Sequence, residues 1–267
     1  MRKAEPRGSI LRRNVVLPFG TLALIVIAWQ LGCTYGGVPT WLLPSPKDIV
    51  ASGLAVPLDQ WASHVLATLR VIMQGFLVAL AVSAPLAVAL TRSETARLCI
   101  YPILVVVQST PIVAIAPILV VTLGAGDAPR VVIAAIITFF PLVVGIASGL
   151  SQVPAELIEL SRSLGAPVRN EYLHIRLPHA MPIIFASVRM AMTLSVIGAV
   201  IGEFVASDKG IGYFIRTSTA NFDISQAFAA LIVLIAMSLF LFHSVTVAQR
   251  LLFPHSLARA AKPSIGR

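Results

Sequence analysis

Six apolar runs, each free of interior charge over most of its length, limit what this chain can fold into. They cover about 17–31, 66–90, 99–123, 131–150, 183–205 and 227–252. A helix needs roughly 20 residues to cross about 30 Å of hydrocarbon, and each run is near or above that length. The first is the shortest, and Pro18 at its edge leaves its start open. Of the 267 residues, 57% are hydrophobic and 12% charged, about half the charged share of a soluble domain. A core of this size could not hide that much apolar surface from water. The composition excludes a soluble enzyme, a secreted disulfide scaffold and a disordered chain. A β-barrel is excluded because its strands would alternate over about 10 residues. The expected fold is all-α, a polytopic membrane protein with about six transmembrane helices.

The net charge of +9 raises the question of nucleic-acid binding, and the placement of the charges answers it. With the N-terminus in the cytoplasm, Arg2, Lys3, Arg7, Arg12, Arg13, Arg92, Arg97, Arg162, Arg169, Arg176, Arg189, Arg250, Arg259, Lys262 and Arg267 fall on the inner side. Lys47, Arg70, Arg130, Lys209 and Arg216 fall outside. That asymmetry of 15 to 5 is the one topogenic signals require. The excess therefore orients the chain and implies no nucleic-acid partner. The expected division is a cytoplasmic basic segment at 1–14, a transmembrane domain at 15–254 and a cytoplasmic tail at 255–267, with both termini inside. Cys33 and Cys99 fall on opposite faces of the membrane, so no disulfide joins them. Gly32-Cys33 echoes a lipoprotein cleavage site, but Gln30 and the five spans that follow argue for an uncleaved anchor.

Several positions interrupt the apolar pattern. Between 39 and 61, Ser45 can cap a helix, Pro46 fits its first position and Asp48 completes a capping-box pattern. Trp41 and Trp61 suit a headgroup belt. The third run is broken by Gln108-Ser109-Thr110-Pro111, with Pro117 following. Either the hydroxyls satisfy carbonyls freed by the proline, or Gln108, Ser109 and Thr110 line a translocation path. Pro85 and Pro141 predict bends in the second and fourth spans. In the fifth span, Gly198 and Gly202 have the small-residue spacing of close helix packing. Glu203 follows, about 30 Å along the helix from Ile183, at the outer rim. It is either an interfacial acid or a path and gating group.

The longest inner loop, about 151–181, carries the strongest pattern. Pro154 and Glu156 begin a helix, Leu157, Leu160 and Leu164 form an apolar stripe, and Gly165 ends it. A second short helix is expected from near Pro167 to Leu177, stopped by Pro178. Two short helices around a glycine make a knob facing the cytoplasm.

Glu159-Leu160-Ser161, then Gly165, then Ile175-Arg176-Leu177-Pro178 resembles the E-A-A-x3-G-x9-I-x-L-P loop of ABC importer permeases. Every spacing agrees, and Leu160 and Ser161 stand where that family usually has alanines. Leu43-Pro44-Ser45-Pro46, Thr122-Leu123-Gly124-Ala125-Gly126-Asp127, and Gly202-Glu203-Phe204 leading to Gly210-Ile211-Gly212-Tyr213 are similar to the nitrate, sulfonate and taurine branch. That branch has riboflavin and pyrimidine-precursor relatives. The resemblance implies half of a translocation pore for a small polar solute, in a bacterial inner membrane. It implies a second permease copy, a cytoplasmic ABC ATPase dimer and an extracytoplasmic substrate-binding protein as partners. It makes Glu159, Leu160, Ser161, Arg162, Leu164, Gly165, Ile175, Leu177 and Pro178 the ATPase-coupling positions. The chain has no G-x4-G-K-S/T phosphate loop, so ATP and Mg²⁺ are expected on the partner and no cofactor or catalytic residue on this chain.

Two other readings compete. A secondary transporter driven by an ion gradient would place ionisable groups near mid-membrane, where only His243 and rim groups such as Arg70, Arg189 and Glu203 are available. A membrane enzyme would need a metal or catalytic cluster. His174 and His179, five residues apart, are not expected to share a helix face, and no metal site is expected.

Overall fold

The computed structural model describes residues 7–254, with side chains from Val16 onward. The basic residues before Val16, His255 and the tail charges lie outside that description. Among the described residues every regular element is helical and no strand occurs. The helices are α1 (Arg7–Tyr35), α2 (Pro46–Ala55), α3 (Leu58–Arg92), α4 (Glu94–Ser109), α5 (Ile112–Leu123), α6 (Asp127–Ser151), α7 (Ala155–Ser163), α8 (Val168–Asn170), α9 (Leu177–Ala206), α10 (Ile211–Ala220) and α11 (Ile224–Leu252). A π-helical turn, Glu171–Arg176, joins α8 to α9. Five helical stretches are long and apolar enough to cross a membrane, and α4 with α5 forms a sixth, broken one. The six runs of the sequence therefore become six candidate spans.

Two boundaries differ from those expected from the sequence, each at a proline. α1 passes through Pro18 instead of starting near it. α3 and α6 contain Pro85 and Pro141 within continuous helices. Pro178 does not stop the loop's second helix; 168–206 is one helical stretch of 39 residues. The π-turn explains the continuation. The Leu177 N–H reaches back five residues to the Tyr172 carbonyl, and this widened turn takes up the register that Pro178 would otherwise break. Pro111 has the opposite effect. α4 and α5 meet there at a bend of 92°, with Ser109 Oγ donating to the Val105 carbonyl at 2.8 Å and Thr110 Oγ1 to that of Val106 at 3.1 Å.

The described residues form two compact units. One draws on the described residues up to Trp61 and on Phe214–Ile232, the other on Ala62–Tyr213 and the described residues from Val233 onward. In the first, the capping box at α2 forms as expected. Ser45 Oγ accepts from the Asp48 N–H at 3.2 Å, and the Asp48 carboxylate accepts from the Ser45 N–H at 3.3 Å. The Gln30 side chain on α1 accepts the Lys47 N–H at 3.0 Å, and Trp61 donates to the Gly53 carbonyl at 3.0 Å.

In the second unit the core lies among α3, α6 and α9, closed by Met237, Leu241 and Val245 of α11. Small residues let these helices touch at backbone distance. A Cβ on Gly198 would stand 2.6 Å from the Ala134 Cα, and one on Gly202 would stand 2.9 Å from the Arg130 Cα. Gly145 faces Ser187 more closely still, and Gly75 of α3 faces Ala134. Interhelical hydrogen bonds add to this: Ser195 Oγ donates to the Ile72 carbonyl at 2.9 Å, and Ser83 Oγ to that of Phe139 at 3.1 Å. Cys33 and Cys99 are both free thiols.

This packing predicts a sharp contrast between two glycines. Gly198→Val forces α6 and α9 apart and costs upwards of the roughly 1–3 kcal/mol of ordinary overpacking, because backbone must move. Gly20→Ala, whose new Cβ meets nothing within 4 Å inside α1, costs nothing and gains up to about 1 kcal/mol of helix propensity. Thermal denaturation of the purified protein in detergent checks both.

Candidate functional site

The loop helix α7 has two faces. Ile158 and Ser161 are buried, at 8% and 6% exposure, while Leu157, Leu160 and Leu164 stand out at 42%, 56% and 76%. The stripe expected from the sequence is thus left exposed. Ser161, at a position usually small, supplies the inner face, and the bulkier Leu160 joins the outer one.

Gly165 ends α7 with φ of 68°, a conformation that costs an L-residue with a Cβ about 1–2 kcal/mol. Two hydrogen bonds fix the reversal: the Gly165 N–H to the Arg162 carbonyl at 3.0 Å, and the Ala166 N–H to the Ser161 carbonyl at 3.1 Å. These are the paired bonds of a Schellman C-terminus. The chain then turns into α8, and an open cleft of about 450 Å³ lies between the two arms. Leu157, Leu160, Ser161 and Leu164 line it from one side, His174, Ile175, Pro178 and His179 from the other. Five coupling positions meet in this cleft: Leu160, Ser161, Leu164, Ile175 and Pro178. Glu159 and Arg162 are exposed beside it and Leu177 is half-buried. The sequence reading kept His174 and His179 apart, but the π-turn brings both to one cleft. Among the described residues no group of three metal ligands forms.

The candidate path residues occupy two distinct places. Gln108, Ser109 and Thr110 are exposed at the α4–α5 break. Glu203 is fully buried, at 0% exposure, and so does not lie at a wet rim. Its carboxylate faces the chain between α9 and α10, where the Gly212 N–H donates to Oε2 at 2.7 Å. The Tyr213 N–H and the Thr68 hydroxyl also donate to it. Thr68 accepts from the Ile211 N–H at 2.7 Å, and His64 Nδ1 accepts from that of Gly210 at 3.1 Å.

Every N–H from Gly210 to Tyr213 therefore ends on a side chain of α3 or α9. These are the donors a helix start leaves unsatisfied, here capped by residues far away in sequence. The Glu203 carboxyl lies directly against Gly210, whose φ is 118°, so a side chain there would collide with it. His64 and Thr68, four residues apart on one face of α3, escaped the sequence reading. Their spacing was visible, but nothing local tied them to a segment beyond residue 200. His243, the mid-span histidine, bonds the Leu239 carbonyl one turn back at 2.8 Å.

Comparison with known proteins places this geometry. The family model for the binding-protein-dependent transport system inner membrane component matches residues 79–256. The riboflavin transport system permease protein RibX of Chloroflexus aurantiacus is 34% identical over 94% of this chain and 95% of its own. A probable ABC transporter permease protein of Haemophilus influenzae is 31% identical over 87% of this chain and 94% of its own. The formylaminopyrimidine transport permease protein ThiX of Halalkalibacterium halodurans is 29% identical over 86% and 92%. Among solved structures, a chain of the inward-facing MetNI methionine ABC transporter superposes with a TM-score of 0.61 at 19% identity, covering 69% of this chain and 92% of its own.

The buried cap predicts graded effects at Glu203. Glu203→Ala leaves the Gly212 and Tyr213 donors without acceptors and costs roughly 1–3 kcal/mol, whereas Glu203→Gln keeps an acceptor and costs less. Amide hydrogen exchange across 210–213 checks this: protection falls sharply in Glu203→Ala, falls slightly in Glu203→Gln, and is unaffected in Leu164→Ala.

Proposed function

Because the chain belongs to the binding-protein-dependent transport system inner membrane component family, we propose that its outward leucine stripe is the surface on which the partner ATPase docks. The chain is a permease subunit of an ABC importer, a non-catalytic, multi-pass inner-membrane component. Its partners include an ATPase and a substrate-binding protein. The ion-gradient reading falls with that membership.

One observation carries the docking proposal. Three leucines stand 42–76% exposed on a short helix whose C-terminus is locked by a positive-φ glycine. An exposed apolar patch of that kind marks an interaction site, and a knob transmits force only if something grips it. Leu157, Leu160 and Leu164 press into a groove of the ATPase, and Ile175, Leu177 and Pro178 carry the load into α9. Glu159 and Gly165 seat the helix, with Ser161 against the protein and Arg162 at the rim. ATP, with Mg²⁺, closes the ATPase dimer and draws two such knobs together. The spans rock to face outward and accept solute, and hydrolysis resets them.

The second permease is a further copy of this chain, and both termini face the cytoplasm, as the inward excess of Lys and Arg favours. The solute is a small polar heterocycle of the riboflavin or pyrimidine-precursor kind, in keeping with the names of two relatives. Gln108, Ser109 and Thr110 contribute polar groups to its path, because polar side chains at a broken span face a cavity and not lipid.

Gly165→Val strains the αL reversal and tilts the stripe away from its groove. Purified from its own membranes in mild detergent, this variant retains at most a tenth of the ATPase held by the unaltered chain, a loss of about 1.4 kcal/mol. Glu159→Lys behaves similarly, and both variants remain in the membrane. Full ATPase recovery with both would overturn the docking proposal.

A further inference from the structure

Glu171 is among the most deeply buried acids described, at 3% exposure, although it lies in the cytoplasmic loop. Two arginines converge on it. Arg176 Nε donates to Oε1 at 2.7 Å, and its second nitrogen lies 2.7 Å from the same oxygen. Arg162 Nε donates to Oε2 at 3.3 Å. The two contacts differ in kind. The Arg176 side chain is 14% exposed and Arg162 68%, so the first pair is dry and the second is largely screened by water.

The network extends to the ends of three membrane helices. Arg176 Nη1 donates to the Leu150 carbonyl at 3.0 Å, in the last turn of α6, where a helix leaves acceptors unsatisfied. The Arg176 guanidinium also lies over the Tyr172 ring, 5.0 Å from its centroid. The Tyr172 hydroxyl in turn is 3.2 Å from Thr91 Oγ1 near the end of α3. Glu171 and Arg176 themselves belong to the π-turn that opens into α9. A single carboxylate thus links α7, through Arg162, to the inner ends of α3, α6 and α9. No apolar contact could replace it without leaving the buried guanidinium uncompensated.

We propose that Glu171 is a positioning residue for energy coupling: its bonds to Arg162 and Arg176 fasten the loop helix α7 to the inner ends of α3, α6 and α9, so that loop and spans move as one body. The proposal rests on the reading that the ATPase drives α7. Without the fastening, α7 and its fixed reversal at Gly165 would shift together against the helix ends, and the pull would be spent in the loop.

Double electron–electron resonance between spin labels at Glu156→Cys on α7 and Arg92→Cys at the end of α3, with Cys33 and Cys99 changed to serine, tests it. The sample is the complex purified with its ATPase, measured without nucleotide and with ATP held unhydrolysed by chelating Mg²⁺. With Glu171 present the distance distribution is narrow and keeps its centre when ATP binds. With Glu171→Gln its width at least doubles and its centre becomes nucleotide-dependent. Tyr172→Phe, which removes only the hydroxyl tie to Thr91, broadens it to a lesser extent, and decides the matter if the Gln variant fails to fold. A centre that shifts with ATP while Glu171 is intact, or a width unchanged in the variants, would overturn the proposal. Failure of the unaltered chain to retain an ATPase would instead sink the docking reading. The width comparison, repeated on the permease alone, would still decide the fastening.

Discussion

The close approach of α6 to α9 is the constraint on which the second unit depends. Inside a bilayer the lipid tails are as apolar as the side chains, so no hydrophobic gain draws helices together. What remains is van der Waals contact and the occasional hydrogen bond, and both need short distances. Gly145, Gly198 and Gly202 supply those distances by removing the Cβ where the helices meet. Ser195 and Ser83 then reach backbone carbonyls on neighbouring helices. α9 is thereby held along its apolar length, while its N-terminal extension carries the second arm of the loop. The same helix thus has its C-terminal end at Glu203 and its N-terminal end in the cleft of α7.

Both ends of that helix use a buried carboxylate, for opposite purposes. Glu203 accepts backbone N–H groups and so completes the start of α10 from a distance. Glu171 accepts guanidinium groups and so secures helix ends that already exist. Removing the first exposes donors of the main chain; removing the second strands charged side chains. Each carboxylate meets partners that only the tertiary fold brings near, although Glu203 Oε1 itself accepts no hydrogen bond among the described residues.

That difference explains what the sequence could and could not convey. Local signals were legible: the six apolar runs, the capping box at Ser45, the leucine stripe of α7 and the stop at Gly165 all depend on residues within a few positions of one another. Prolines were less so. The same residue type breaks the third span at Pro111 yet lies within the continuous helices α1, α3 and α6. At Pro178 a π-turn absorbs it, and nothing in the spacing of 171–178 announces a wider turn. The environment of Glu203 was the least accessible. Its distance from Ile183 correctly placed it late in the span, but the partners that bury it depend on how α3 packs against α9. His64 and Thr68 carry no local mark of that packing.

The right-angled break between α4 and α5 gives this protein an unusual relation to the thickness of its membrane. At 1.5 Å per residue α4 is about 24 Å long and α5 about 18 Å, so neither alone matches a hydrocarbon layer of about 30 Å. Joined at 92°, they reach about 30 Å from end to end. A straight helix meets a thinner bilayer by tilting, but a bent pair does so by changing its angle. Any change in the reach of the pair is taken up at the bend, where Gln108, Ser109 and Thr110 stand.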